Sequence, residues 1–139
     1  MFYAGADDAA RSLQAGHVLP AITPPQTMCD GLLTALSPRT LHHVQEHVTT
    51  ILTVEEDAIV DALRLVWERM KQVVEPSAAV GLAVVLHHAE MAKAIVDVAM
   101  DKAGEEGERE GAIEVRIGVV WTGGNVDLAS MTRIFAEAP

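Results

Sequence analysis

Two β-branched segments joined by helical stretches predict an α/β protein with a parallel sheet. Residues 50–54 (Thr-Ile-Leu-Thr-Val) and 115–121, ending at Trp121, have strand composition, and the long, helix-rich connection between them suits a parallel crossover. At 139 residues the chain has the size of one domain, 1–139, and can bury roughly two thirds of its unfolded surface. Hydrophobic residues make up 50% but aromatics only 4%, so the core is expected to consist of Ala, Val, Leu and Ile. Such a composition argues against disorder.

The elements follow in order. A short helix over 7–15 precedes Pro20, Pro24 and Pro25, which enforce extended backbone. Leu32, Leu33 and Leu36 suggest a second short helix, stopped near Ser37-Pro38, and a third covers 40–47. The strand 50–54 comes next. Thr53 and Glu56 have capping-box spacing for a new helix. Its residues Ile59, Ala62, Leu63, Val66 and Met70 recur at steps of three and four on one face, with Glu68, Arg69 and Lys71 largely off it. Pro76 opens a helix whose stretch 78–86 is apolar on all sides, as expected of the most buried element. A further helix runs through Met91, Ile95 and Val98. The glycine- and acid-rich segment 104–111 reads as a surface loop, 115–121 as a buried strand, Thr122-Gly123-Gly124-Asn125 as the turn after it, and 127–136 as the last helix. No internal repeat is visible.

Composition excludes several function classes. Ten Lys and Arg against twenty Asp and Glu leave a net charge of −10, which repels phosphate backbones and anionic lipid surfaces, so neither nucleic acid nor membrane is expected as a partner. The longest apolar run, 78–86, is about half of what a membrane span needs. Asp7 and Asp8 stand where a signal or transit peptide would carry basic residues, and the single Cys29 forms no internal disulfide. A cytoplasmic location is the expectation.

Several residues invite a chemical role. The Thr122-Gly123-Gly124-Asn125 turn puts a hydroxyl and small residues at the carboxyl end of a strand, where open α/β sheets bind ligands, but glycines also simply turn a corner. Glu75, before Pro76, is either a helix-start charge or a group facing a pocket. His43 and His47, four apart on a helix, could share a metal; with no carboxylate read in the motif, a solvent-exposed pair is favoured over zinc. Asp7 and Asp8 could offer oxygens to magnesium or calcium, or serve the helix dipole. Cys29 lacks an electropositive setting, and its neighbour Asp30 raises its pKa, so a structural role is expected. The four carboxylates of 104–111 disqualify it as a phosphate loop.

Taken in order, Pro24-Pro25-Gln26-Thr27-Met28-Cys29-Asp30-Gly31, Ile51-Leu52-Thr53-Val54, Val66-Trp67-Glu68-Arg69-Met70-Lys71, Val74-Glu75-Pro76-Ser77-Ala78 and Thr122-Gly123-Gly124-Asn125-Val126-Asp127-Leu128 form a series. With it the chain resembles the carboxyl-terminal part of serine racemase and the serine/threonine dehydratases, pyridoxal-phosphate enzymes. The resemblance implies an α/β fold: part of the three-layer, tryptophan-synthase β-like architecture, in its large-domain C-terminal portion. It also implies that Thr122 offers its hydroxyl to the pyridine nitrogen of pyridoxal 5'-phosphate, where relatives carry Ser. Glu75, Gly31 and Gly123 become cofactor-site residues. Of the family's cation ligands for Mg2+ or Ca2+, Ala6 matches the carbonyl and Asp8 the aspartate, but Phe2 stands where a glutamate would, and losing one charged ligand weakens a hard-cation site.

Two hypotheses follow from the resemblance. The family's Schiff-base lysine lies in a Ser-x-Lys-x-Arg-Gly-Ala type segment, and neither Lys71, Lys93 nor Lys102 lies in such a context. No catalytic residue is assigned here. The phosphate loop and most of the small domain are likewise expected to precede Met1. The chain is then a portion of an enzyme that removes the α-proton of serine and either racemises it or eliminates water, acting on a small amino acid as a homodimer, and is inactive alone. The alternative is a truncated, non-catalytic paralogue serving as a binding or regulatory subunit.

Overall fold

The computed structural model describes residues 2–3, 6–24, 27–106 and 114–137, with backbone only at 2–3, 98–99 and 101–106. Strand β1 (Phe2–Tyr3) lies parallel to β2 (Thr53–Val54), with Phe2 opposite Thr53 and Tyr3 opposite Val54. Between them come α1 (Asp8–Ala15), a 3-10 turn (Asp30–Leu32) and α2 (Pro38–His47). After β2 follow α3 (Glu56–Leu65), a π-helical turn (Val66–Met70), α4 (Pro76–His87), α5 (Ala89–Glu106) and α6 (Leu128–Glu137).

The core lies where α3 meets α4, the most extensive helix contact. Ile59, Ala62, Leu63 and Val66 are buried against Ala78, Ala79, Val80, Ala83 and Val84, with Cys29, Val54, Val74 and Met131 closing the cluster. Fully buried Ala62, Ala79 and Ala83 present only methyl groups, which lets the two helices approach closely. Trp67, Trp121 and Phe135 cover the edge of this aliphatic centre. Helix α4 is thus the most buried element, as its unbroken apolar run predicts, although Leu86 at its end is exposed.

Several boundaries differ from the sequence expectation, each for an identifiable reason. Ser37-Pro38 starts a helix rather than stopping one: Ser37 Oγ accepts from Thr40 N at 3.1 Å, and Pro38 occupies the first helical position, where a missing N–H costs nothing. The leucine-rich stretch before it folds only as the 3-10 turn. Thr53 is held in β2, so Glu55 caps α3 without a side-chain bond, while the Glu56 carboxylate accepts from Met28 N at 3.3 Å. The π turn widens the helix at Val66 and shifts its phase, which leaves Met70 53% exposed although its spacing predicts the core. Helix α5 continues through Gly104 to Glu106, and the remainder of the 104–111 segment lies outside the described residues.

Segment 115–121 is the largest correction. It belongs to no sheet and is largely exposed. A β-branched run becomes a strand only when a neighbour takes its N–H and C=O groups, and among the described residues the two strands, β1 and β2, pair with each other. The chain then enters α6 as expected, with Asp127 Oδ1 accepting from Ser130 N at 2.7 Å. That hydroxyl and amide of Ser130 hold the Asp127 carboxyl below its ordinary range.

Among the described residues no single helix is long and apolar enough to cross a membrane. Pro76–His87 and Ala89–Asp97 would qualify only together, and they meet at a 65° bend.

Candidate functional site

Three chain segments converge on the N-terminus of α4. Glu75 is its capping residue in extended conformation, and Pro76 follows at the first helical position. The Glu75 carboxylate does not cap its own helix. It turns toward the 122–125 turn, where Oε2 accepts from Asn125 N at 3.3 Å, while Glu75 N donates to Gly123 O at 3.0 Å. Two hydrogen bonds thereby staple the turn to the helix start.

Gly123 allows this contact, because a Cβ there would lie 2.5 Å from Glu75 Oε1 and push the carboxylate aside. Gly31 reaches the same helix end from the other side: its N–H donates to Ser77 Oγ at 3.0 Å, and that hydroxyl donates onward to Asp30 Oδ1 at 3.1 Å. Carboxylates Asp30 and Glu75 therefore both sit at the positive end of the α4 dipole, a favourable placement. Gly31, Glu75 and Gly123, all singled out from sequence, are brought together. Thr122 adjoins them through the chain, with its side chain exposed.

Cys29 lies just below this cluster and is fully buried. Burial pushes its thiol up to about 12, the Glu56 and Asp30 carboxylates add to the rise, and hydrogen bonds with Thr27 and Ser77 oppose it. Asp30 raises the thiol as expected, and loss of water contributes most. A thiol raised above its ordinary 9.0 stabilises the fold fully below pH 9, and that contribution is lost as pH rises toward 12. Cys29 is accordingly expected to resist iodoacetamide in the folded chain at pH 8 and to react once urea unfolds it. A native rate within on the order of tenfold of the unfolded one would show that the thiol is not enclosed.

Ala6 and Asp8 lie at the start of α1, well away in sequence from the α4 cluster, and both are buried. Asp8 Oδ2 accepts from Leu36 N at 3.4 Å, so this carboxylate already holds the loop before α2. On α2 the sequence reading overlooked a group. Glu46 stands between His43 and His47, and one ligand atom from each of the three lies within 4.8 Å of the others. The missing signal was the intervening Glu46, three residues after His43 and therefore on the same helical face.

A separate cleft of about 590 Å³ opens beside α3 and α6, lined by Arg64, Trp67, Glu68, Lys71 and Phe135. Its polar groups serve packing: Arg64 Nη2 donates to Phe135 O at 3.1 Å, Trp67 Nε1 to Val74 O at 2.9 Å, and Lys71 Nζ to Glu68 O at 2.6 Å. Trp67 and Phe135 meet edge to face at 5.5 Å.

Comparison with known proteins bears on the α4 cluster. Residues 3–98 match the family described as pyridoxal-phosphate dependent enzyme. The chain is 42% identical over 123 residues to beta-hydroxyaspartate dehydratase of Paracoccus denitrificans, covering 88% of this chain and 32% of that protein. It is 37% identical over 132 residues to serine racemase of Dictyostelium discoideum, covering 94% of this chain and 35% of that one. The structure of maize serine racemase superimposes with a TM-score of 0.71 at 32% identity, over 96% of this chain and 36% of that chain. The chain thus spans about a third of the length of the curated relatives it matches.

Proposed function

Because the chain belongs to the pyridoxal-phosphate-dependent enzyme family, we propose that it is the C-terminal portion of a serine racemase or serine/threonine ammonia-lyase, contributing the part of the pocket that receives the cofactor ring. Its fold is part of the tryptophan-synthase β-like architecture of that family. The observation that carries the functional reading is the staple between Glu75 and the 122–125 turn, which fixes the backbone bearing Thr122 against the start of α4.

In this reading the cofactor ring meets the chain at Thr122. Exposed Thr122 offers a neutral hydroxyl as partner for the pyridine nitrogen, while the Glu75 carboxylate fills the space beside Gly123 and the Ser77 side chain that beside Gly31, so the two glycines let the segments close on the start of α4. Bound there, the cofactor would supply an electron sink for a substrate whose α-proton has been removed. A hydroxyl partner leaves the pyridine nitrogen without a proton, in contrast to a carboxylate. Glu75 acts as a positioning residue, since its carboxylate holds Asn125 N and its amide holds Gly123 O. Serine is the favoured substrate class by likeness to serine racemases. Ala6 and Asp8 offer one carbonyl and one carboxylate, both residues are buried and Asp8 already accepts from Leu36 N, so these two residues alone do not fit magnesium or calcium, which take about six or more oxygen ligands.

Among the described residues no lysine side chain is placed to bind the cofactor covalently at this cluster. Lys71 is tied to Glu68 O, Lys93 is exposed on α5, and the Lys102 side chain lies outside the described residues. The purified chain supplied with pyridoxal phosphate is therefore expected to convert L-serine to neither D-serine nor pyruvate. Turnover by the chain without a partner would overturn this reading. A second reading, the truncated binding or regulatory subunit, is favoured by the exposure of Leu65, Met70, Val73, Val120 and Leu128, apolar side chains suited to a partner. A monodisperse monomer with no affinity for a full-length relative would set that reading aside.

A further inference from the structure

We propose that the outward face of α2 chelates a borderline divalent ion, Zn2+, through His43, Glu46 and His47. The two imidazoles lie one helical turn apart, and their rings are within 10° of parallel with centroids 6.3 Å apart. Glu46 Oε2 lies 3.6 Å from His47 Nε2, and ligand atoms from all three residues fall within 4.8 Å of one another. Tetrahedral zinc with bonds of about 2.0–2.1 Å needs its ligand atoms roughly 3.3 Å apart, so the set must tighten by about 1.5 Å. Rotamer changes at exposed side chains can supply that closure: Glu46 is 56% and His47 67% exposed.

The scaffold beneath these side chains is fixed. Ser37 caps the helix, Leu41 buries its inner face, and Gln45 Nε2 donates to Gly16 O at 3.3 Å. Rotation of the ligands therefore need not disturb the backbone. Two imidazoles and one carboxylate suit zinc, nickel or copper, and are too few and too nitrogen-rich for magnesium or calcium. Formal charge of −10 on the chain further favours a cation over an anion. His42 stands next to the set, its ring 5.6 Å from that of His43 and its Nε2 3.9 Å from Glu46 Oε2. It can exchange with a neighbour but does not complete a cage. The fourth position falls to water, and because all three ligands are exposed on the outer face of the helix the site acts as a clip across one turn of α2 rather than as a hydrolytic centre.

The test uses the full chain without a polyhistidine tag, titrated calorimetrically with ZnCl2 and, as control, MgCl2. The expected result is saturable one-to-one zinc binding, a higher melting temperature in zinc, and neither effect with magnesium. His43→Ala and His47→Ala should each weaken binding by at least about tenfold, because losing a ligand should cost no less than losing an outer-shell partner. Glu46→Gln should weaken it as well. All three positions are exposed on a helix, so circular dichroism should show the fold unchanged. Absence of saturable zinc heat would overturn the proposal, as would unchanged affinity in the His43→Ala/His47→Ala double variant. Unchanged affinity in Glu46→Gln would remove the carboxylate from the ligand set and overturn the three-ligand site.

Discussion

Replacing Leu63 by Ala is expected to lower the free energy of unfolding by about 2–5 kcal/mol, a large share of the roughly 5–15 kcal/mol typical of a domain. Leu63 is fully buried where α3 faces α4, and several of its companions in the core, Ala62, Ala79 and Ala83, are too small to reach into the space it would vacate. The resulting cavity would persist instead of collapsing. Leu65, two residues along the same helix, is 42% exposed and should cost much less on the same substitution, below about 1 kcal/mol. Urea denaturation of both variants checks this, with equal m-values required for the comparison. Equal losses at 63 and 65 would mean that the α3–α4 interface is not the stabilising centre. The consequence reaches the candidate site, because α4 carries Glu75 and Ser77 at its start and is positioned by this interface.

The core was legible because helical periodicity reports which face is buried. Ile59, Ala62, Leu63 and Val66 follow the expected stripe, and the apolar run of α4 marks the element enclosed by others. Met70 fails because periodicity assumes an unbroken α-helix, and a π turn at Val66–Met70 rotates what comes after it. Ser37-Pro38 fails for another reason: the same dipeptide can end one helix or begin the next, and only the backbone conformation at Ser37 decides. Strand pairing was the least legible. Segment 115–121 has strand composition, but a ladder needs a partner, and no local pattern reveals whether one lies alongside.

The candidate site was legible at its backbone and less so at its side chains. Gly31, Glu75 and Gly123 were reached through ordered motifs, and the structure shows why two of them are what they are. Gly123 must admit the Glu75 carboxylate, and a Cβ on Gly31 would lie 3.1 Å from Ser77 Oγ. Ser77 itself escaped notice, since a serine in the first turn of a helix ordinarily needs no explanation beyond its helix. Its role depends on Asp30 and Gly31, remote in sequence. Glu46 escaped for the opposite reason. It was plainly visible between two histidines, and its spacing, more than any tertiary contact, makes it a ligand neighbour.

Substituting Gly124 by Ala is expected to destabilise the chain by about 1–3 kcal/mol, more than the same change at Gly123. A Cβ at 124 would stand 2.6 Å from Val73 O, a backbone atom, whereas the Cβ at 123 meets the far end of a side chain. Glu75 can swing its carboxylate away, at the cost of its bond to Asn125 N. Val73 has no such freedom. The next carbonyl, Val74 O, is held by Trp67 Nε1 at 2.9 Å, and Glu75 N is held by Gly123 O at 3.0 Å. Relief at position 124 therefore requires the turn to lift away from 73–75 and to carry Thr122 with it. Gly118 is the control, because nothing lies within 4 Å of a Cβ built there, and Gly118→Ala should be neutral to within about 0.5 kcal/mol. Thermal or urea unfolding of the three variants gives the ranking. If Gly124→Ala proved as harmless as Gly118→Ala, the turn would not rest on residues 73–75 in solution, and the role proposed for Thr122 at the cofactor ring would lose its structural support.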